Sequence, residues 1–106
     1  MGSQGEEAFV SLGSNLGDRR AHLAYAVERL GQHLSDLRLS AVMETGAVEV
    51  STPQPTYLNA VAVGTTAGSA EDLLALLMSI ERERGRARPY ARAPRTLDLD
   101  LILFGD

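Results

Sequence analysis

Cysteine and lysine are absent from this sequence of 106 residues, and each absence excludes a class of chemistry. Without cysteine there are no disulfides, thiolate nucleophiles or thiolate metal ligands, and a cytoplasmic location is expected. A phosphate-binding loop of the Walker A type requires lysine after glycine. The chain therefore cannot bind ATP by that route, although other routes to a nucleotide stay open.

Histidine and long apolar runs are also scarce. The only two histidines, His22 and His33, fall on the same predicted helix, which disfavours a histidine-based metal centre or catalytic triad. No apolar run approaches the ~18 residues of a membrane span, and the N-terminus lacks the pattern of a signal peptide. A formal net charge of −4 argues against nucleic-acid binding. We therefore expect neither a membrane nor a nucleic-acid partner.

Length and composition predict a single folded domain over residues 1–106. A hydrophobic content of 44% is typical of a folded soluble protein. The opening letters MGSQG have the composition of a loose tail. Residues 1–6 are accordingly expected to be a disordered or tag-derived extension.

Hydrophobic periodicity divides the chain into four strands and two helices. The first helix starts near Arg19, and Ser69 with Asp72 forms a capping-box-like start for the second, which stops at Gly85. Strands are predicted over residues 7–13, 37–45, 56–66 and 97–104, and helices over residues 19–34 and between Ser69 and Gly85. The order β-α-β-β-α-β predicts a ferredoxin-like α+β fold, an antiparallel sheet with two helices on one face.

The last predicted strand carries two carboxylates with the same orientation. Side chains alternate along a strand, so Asp98 and Asp100 share one face, about 7 Å apart, while Leu97, Leu99, Leu101 and Leu103 share the other. Mg²⁺ takes one or two carboxylates plus waters and substrate oxygens, so this pair is a candidate metal site. The alternative is a solvated strand face. Ile102 and Phe104, expected on the same face as the acids, weigh against that alternative.

Six of the ten basic residues fall between Arg82 and Arg95. Arginine binds phosphate oxygens bidentately, so this cluster could hold a polyphosphate. Arg82 and Arg84 alternate with glutamates near a helix C-terminus, where cations are favourable, and a solvated helix end is the preferred interpretation for them. For the residues beyond the helix, phosphate binding and simple solvation are equally open. These are Arg86, Arg88, Arg92 and Arg95.

Three motifs occur together in one order: SLGSNLGD, QPTYLNAV and APRTLDLDLILFG. With them the chain, from about residue 8 to residue 106, resembles the 6-hydroxymethyl-7,8-dihydropterin pyrophosphokinases of folate biosynthesis. PRTLDLD is highly specific to that family in this context, and the other two motifs are supportive. The resemblance implies transfer of the terminal diphosphate of ATP to the hydroxymethyl group of a pterin, with release of AMP and with two Mg²⁺ ions.

The resemblance also implies roles for individual residues. Asp98 and Asp100 would hold the two metal ions. Arg86, Arg88 and Arg95 would meet the ATP phosphates as the catalytic arginines, and Glu81 and Arg92 would line the nucleotide site. The expected contacts to the pterin come from Ser14, Asn15, Thr45, Val48, Tyr57 and Asn59.

The sequence departs from the family pattern in several places. Ala47 and Glu49 replace the usual proline and glycine of one loop, and Arg92 stands where many members have tryptophan or asparagine. The family's C-terminal third is expected to be missing, with its PHPR-type segment and the aromatic that closes the pterin site. Its absence would expose one sheet face, and this predicts a homo-oligomer formed through that face. The apolar residues expected there are Tyr57, Val61, Val63, Ile102 and Phe104.

Two other functions compete with the pyrophosphokinase interpretation. One is a non-catalytic ferredoxin-like module that oligomerises or binds a nucleotide or pterin. The other is a two-metal phosphodiesterase built on the same aspartate pair, which leaves TYLN and the glycine-containing first turn unexplained.

Overall fold

The computed structural model describes residues 5–14, 18–45, 56–84 and 97–105, which form five strands and two helices. The elements in chain order are β1 (Glu6–Ser14), α1 (Arg19–Gly31), β2 (Ser35–Leu39), β3 (Met43–Thr45), β4 (Tyr57–Thr66), α2 (Ala70–Arg84) and β5 (Asp98–Phe104). Neither helix is long and apolar enough to cross a membrane in the part of the chain that the structure describes.

The strands form one antiparallel sheet in the order β2-β4-β1-β5, with β3 paired to β4 beyond the end of β2. Each helix therefore connects two strands that have one other strand between them. β4 lies between β1 and β2, and β1 lies between β4 and β5, as the ferredoxin-like prediction requires. That fold class is confirmed. The strand expected over residues 37–45 is two strands instead. The cause is Ser40, whose hydroxyl accepts the N–H of Val61 at 2.9 Å in place of a backbone carbonyl.

The hydrophobic core lies between the helices and one face of the sheet. On β1, alternate residues face the helices, and α1 and α2 each contribute one buried stripe at helical spacing. Burial of this apolar area is the main force that holds the layers together. The buried residues of the core are Ala8, Val10 and Leu12 of β1, Leu23, Ala26 and Leu30 of α1, and Leu73, Leu77 and Ile80 of α2, with Leu34, Leu58, Ala62, Leu97 and Leu99.

Side chains cap both helices at their N-termini. Asp18 accepts the N–H of Ala21 at 3.2 Å. Ser69 accepts the N–H of Asp72 at 3.0 Å, and the Asp72 carboxylate accepts the N–H of Ser69 at 3.4 Å. The capping box predicted for the second helix is therefore confirmed.

Close packing of helix and sheet depends on a glycine in β4. A Cβ atom at Gly64 would lie 2.8 Å from Cβ of Leu34, which is buried in the core just after α1. Leu37 of β2 would be 3.2 Å away. A side chain at position 64 would therefore push β4 away from the end of α1.

A β-bulge in β5 reverses the faces of its last residues. Val10 pairs with Leu101 but Phe9 pairs with Leu103, so Ile102 is the extra residue. Beyond the bulge, Phe104 turns to the helix side and packs against the core. Leu103 lies on the open face and is 52% exposed. The strict alternation expected through residue 104 is thus wrong for these two residues, because it allowed for no extra residue.

Candidate functional site

The sheet face opposite the helices carries the candidate site, and strand register brings its residues together. Asp98 of β5 pairs with Gly13 of β1, and Gly13 pairs with Asn59 of β4. Directly opposed residues in an antiparallel sheet project from the same face. The carboxylate and the amide therefore belong to one transverse row on either side of Gly13, and their Cα atoms are roughly 10 Å apart, since strands are spaced at about 4.8 Å.

Gly13, the buried residue between them, lets neighbouring side chains approach its backbone closely. A Cβ atom at this position would lie 3.2 Å from Oδ1 of Asn59 and 3.6 Å from Cδ1 of Tyr57. The amide and the aromatic ring therefore extend over the backbone of Gly13. The result is a flat shelf with an aromatic ring and an amide at one end and a carboxylate at the other.

The two aspartates of β5 lie on this open face, as their spacing predicts. Asp98 pairs with Gly13 and Asp100 pairs with Ser11, while Leu99 between them is buried on the helix side. Asp98 is partly buried and Asp100 is exposed. The described residues contain no cluster of three or more metal-ligating side chains. Two hard oxygen ligands on one face fit Mg²⁺, which completes its shell with waters and phosphate oxygens.

Glu81 of α2 contacts the backbone between the two aspartates. Its carboxylate accepts the N–H of Leu99 at 2.7 Å, across 18 positions of sequence. Because Leu99 separates Asp98 from Asp100, this hydrogen bond fixes the segment from which both carboxylates project. Glu81 was expected in the nucleotide site, and it lies directly behind the aspartate pair.

Other expected pterin contacts lie near the shelf or outside the described residues. The backbone of Thr45 pairs with Tyr57 at the adjoining ends of β3 and β4. Ser14 pairs with Leu58 on the helix side and is fully buried, so its hydroxyl faces away from the shelf. The residues outside the described part of the chain are Asn15, Val48, Arg86, Arg88, Arg92 and Arg95.

A separate group of charges joins α1 to α2 on the opposite side of the molecule. Arg29 donates to both oxygens of Glu83, at 2.9 and 3.0 Å, and Tyr25 donates to the same carboxylate. These two donors lower the pKa of Glu83 to about 2. Arg84 stacks 4.7 Å from the centre of the Tyr25 ring and donates to Nδ1 of His22 at 3.0 Å. Arg84, expected to be solvated at the helix end, is instead half-buried against these two side chains of α1.

The helix side also holds an apolar cavity of about 360 Å³ between α1 and the β2–β3 edge. The sheet separates it from the aspartates, so it takes no part in the site on the open face. Its lining residues are Leu12, Arg20, Leu23, Ala24, Val27, Glu28, Leu39, Val42 and Ala60.

Comparison with known proteins identifies the family. The sequence model of 7,8-dihydro-6-hydroxymethylpterin-pyrophosphokinase (HPPK) matches residues 9–105. The chain belongs to this family. The match covers most of β1 and all of β4 and β5, the three strands that build the shelf, so the resemblance read from the three motifs is confirmed.

Several curated HPPK enzymes are similar to the chain over nearly its whole length. The 2-amino-4-hydroxy-6-hydroxymethyldihydropteridine pyrophosphokinase of Bacillus subtilis is 39% identical over 99 residues, 92% of this chain and 59% of the relative. The Pseudomonas aeruginosa enzyme of that name is 39% identical over 103 residues, 95% of this chain and 63% of the relative. The Pseudomonas putida enzyme is 41% identical over 100 residues, 93% of this chain and 82% of the relative. The chain thus spans about three-fifths of the length of the first two relatives.

The HPPK motifs singled out some residues of the shelf and missed others. They identified Tyr57, Asn59 and the aspartate pair, and SLGSNLGD also contains Gly13, but no role was assigned to that glycine, over which the amide and the ring extend. The position of this glycine, just before the end of a buried strand, was the sequence signal that could have indicated a close approach of other side chains to the backbone. They also identified Glu81 without its contact to Leu99, because no local pattern predicts a bond between a helix and a distant strand.

Proposed function

We propose that the protein transfers diphosphate from ATP to the hydroxymethyl group of a dihydropterin and releases AMP. The observation that supports this proposal is the row Asp98–Gly13–Asn59, in which a carboxylate and an amide lie on one sheet face on either side of a glycine. We assign metal binding to the carboxylate and recognition of the heterocycle's edge to the amide. The names of the bacterial relatives support it, since they are pyrophosphokinases of a hydroxymethyldihydropteridine. Because the chain spans about three-fifths of those relatives, its own activity is part of the proposal.

The pterin would lie at the Tyr57–Asn59 end of the shelf. A planar heterocycle can stack on the Tyr57 ring, and the Asn59 amide offers both a donor and an acceptor to its edge. Gly13 would let the Asn59 amide and the Tyr57 ring stay close to the backbone of β1, where both can contact the ring system. The residues proposed to complete this subsite are Asn15, Thr45 and Val48, while Ser14, whose buried hydroxyl faces the helix side, would support the end of β1 beneath it.

The ATP phosphates would lie at the aspartate end, with Mg²⁺ held by Asp98 and Asp100. Bound Mg²⁺ would neutralise charge on the polyphosphate. Glu81 would keep the strand segment between the two aspartates in place and border the nucleotide. Arginine side chains would bind the phosphates from the other side, and this role is proposed for Arg86, Arg88, Arg92 and Arg95.

The reaction needs alignment more than a strong base. The hydroxymethyl oxygen attacks the β-phosphorus and forms a new P–O bond. The bond from that phosphorus to the oxygen bridging the α- and β-phosphates breaks, and AMP leaves with the bridging oxygen. The hydroxyl proton passes to solvent. The shelf would hold the attacking oxygen between the pterin subsite and the aspartates, in line with the bond that breaks.

The open face would also allow self-association. Phe9, Val63 and Leu103 form one row of apolar side chains across three strands, with Val61 in the next row. Phe104, expected in this patch, packs against the core instead. We propose a homo-oligomer formed through this row in the cytoplasm. Light scattering at high protein concentration should show a mass above the monomer, which Leu103→Glu should reduce.

Calorimetry and product analysis test the proposed function. The chain should bind a non-hydrolysable ATP analogue in the presence of Mg²⁺, and chromatography should detect AMP only when ATP and the hydroxymethyl pterin are both present. Asp98→Ala should abolish AMP release, whereas Glu28→Ala, an exposed change on the helix side, should not. Absence of nucleotide binding at millimolar concentration would overturn the proposal. Nucleotide binding without pterin-dependent AMP would favour the non-catalytic alternative.

A further inference from the structure

Arg19, the first residue of α1, joins two strand ends that are distant in sequence. Its Nη1 atom donates to the carbonyl and hydroxyl oxygens of Thr56, both at 2.7 Å. The same atom donates to Oε2 of Glu44 at 3.2 Å. The Thr56 hydroxyl donates in turn to that carboxylate oxygen at 2.7 Å, which closes a triangle of three side chains.

The position of Arg19 is unfavourable for the helix that carries it. The first turn of α1 contains Arg19 and Arg20 and no acidic residue. A helix N-terminus has a partial positive charge, so two cations there are unfavourable, and the Asp18 cap offsets them only in part. Residues that break a local rule without a local gain usually serve another part of the structure. For Arg19 that part is the Glu44–Thr56 pair.

The triangle lies one residue before the shelf on both strands. Glu44 precedes Thr45 at the end of β3, Thr56 precedes Tyr57 at the start of β4, and Thr45 pairs with Tyr57. Glu44 itself pairs with the core residue Leu58, so it lies on the helix side of the sheet. The triangle therefore fixes the two strand ends from behind and does not occupy the open face.

We propose that Arg19 is a positioning residue for the pterin subsite, which it fixes through Glu44 and Thr56 by holding the Thr45–Tyr57 pair in register. This inference rests on the proposed function. It goes beyond the shelf residues, because Arg19 touches neither Tyr57 nor the open face. The Thr56 hydroxyl and then Arg19 lower the pKa of Glu44, which agrees with a carboxylate kept ionised within the triangle.

Ligand binding by Arg19→Met and by a matched control tests the proposal. Arg19→Met should weaken pterin binding about tenfold, because the Thr45–Tyr57 pair loses its support, and leave binding of the ATP analogue with Mg²⁺ within about twofold. Arg19→Lys should restore part of the pterin affinity. Arg20→Met changes the neighbouring, exposed arginine and should alter neither affinity. Carbon-13 NMR should show the pKa of Glu44 rising in Arg19→Met and less in Arg20→Met.

Thr56→Val provides a second variant of nearly the same shape, in case Arg19→Met does not fold. It should raise the pKa of Glu44 and weaken pterin binding in the same selective way. Unchanged pterin affinity in both variants, or equal losses for pterin and nucleotide, would overturn the positioning role. If the unmodified chain binds no pterin, the proposed function fails together with this role. In that case the pKa of Glu44 in the variants still tests whether Arg19, Glu44 and Thr56 form the triangle in solution.

Discussion

The backbone N–H of Leu99 donates to the carboxylate of Glu81 at 2.7 Å, and this bond attaches α2 to the strand segment between the two aspartates. A helix residue thereby controls the orientation of a candidate metal site to which it need not contribute a ligand. Second-layer contacts of this kind commonly tune metal affinity.

Removal of the Glu81 carboxylate should affect both stability and nucleotide binding. In Glu81→Ala the buried N–H of Leu99 loses its acceptor, and the free energy of unfolding should fall by about 1–3 kcal/mol. Binding of the ATP analogue should weaken more in the presence of Mg²⁺ than in its absence, as measured by calorimetry. Glu81→Gln keeps an acceptor oxygen and should lose less. Similar losses of affinity for the ATP analogue with and without Mg²⁺ would contradict the proposal that Glu81 supports the metal site.

A side chain at position 13 should obstruct the shelf. The added Cβ of Gly13→Ala would lie 3.2 Å from the amide oxygen of Asn59, so the amide must shift by a few tenths of an ångström. Pterin affinity should fall while the melting temperature changes little. Gly31→Ala is the matched control, since its Cβ would find its nearest neighbour at 3.7 Å. Normal pterin binding by Gly13→Ala would place the pterin elsewhere.

Gly64→Ala should destabilise the fold without acting on the site directly. Its Cβ would lie 2.8 Å from Cβ of Leu34, which belongs to a packed core and cannot rotate away. Overpacking of this kind costs about 1–3 kcal/mol, which corresponds to a fall in melting temperature of roughly 4–8 °C per kcal/mol for a domain of this size. Gly68→Ala, with its nearest neighbour at 3.4 Å, should melt close to the unmodified protein. Equal melting temperatures for both variants would count against the close packing.

His22 should make stability depend on pH. Burial, followed by the charge of Arg84, lowers the pKa of His22 below 6.5, while Asp18 opposes this shift. The unfolded chain therefore takes up a proton before the folded one, and stability should decrease as the pH falls below 6.5 and through the lower folded pKa. Melting curves between pH 8 and 5 should show this fall, and His22→Asn should reduce it. His33→Asn, an exposed change, should leave the pH dependence intact.

The sequence was most informative where a local pattern repeats. Alternation in β5 correctly placed Asp98 and Asp100 on one face because it is a property of any extended strand. The same rule failed after Ile102, since a bulge depends on how the strand pairs with β1. Ser40 ended one strand early for a similar reason: its hydroxyl competes with the backbone for the N–H of Val61.

Contacts between distant elements could not be predicted from the sequence. The Arg19 triangle joins a helix and two strands, and only the folded sheet brings Glu44 within reach of Thr56. The shelf is an intermediate case. Motifs identified Tyr57 and Asn59, whereas the place of Gly13 between them and Asp98 follows from the register of three strands.

The extra residue at Ile102 also limits how this sheet can grow. In the described part of the chain β5 is an outer strand, and a long regular outer strand invites a strand from another molecule to continue the ladder. The local twist at Ile102 breaks β5 into two short stretches with different orientation. An incoming strand could match one stretch but not both, so this edge is a poor template for fibre-like polymerisation.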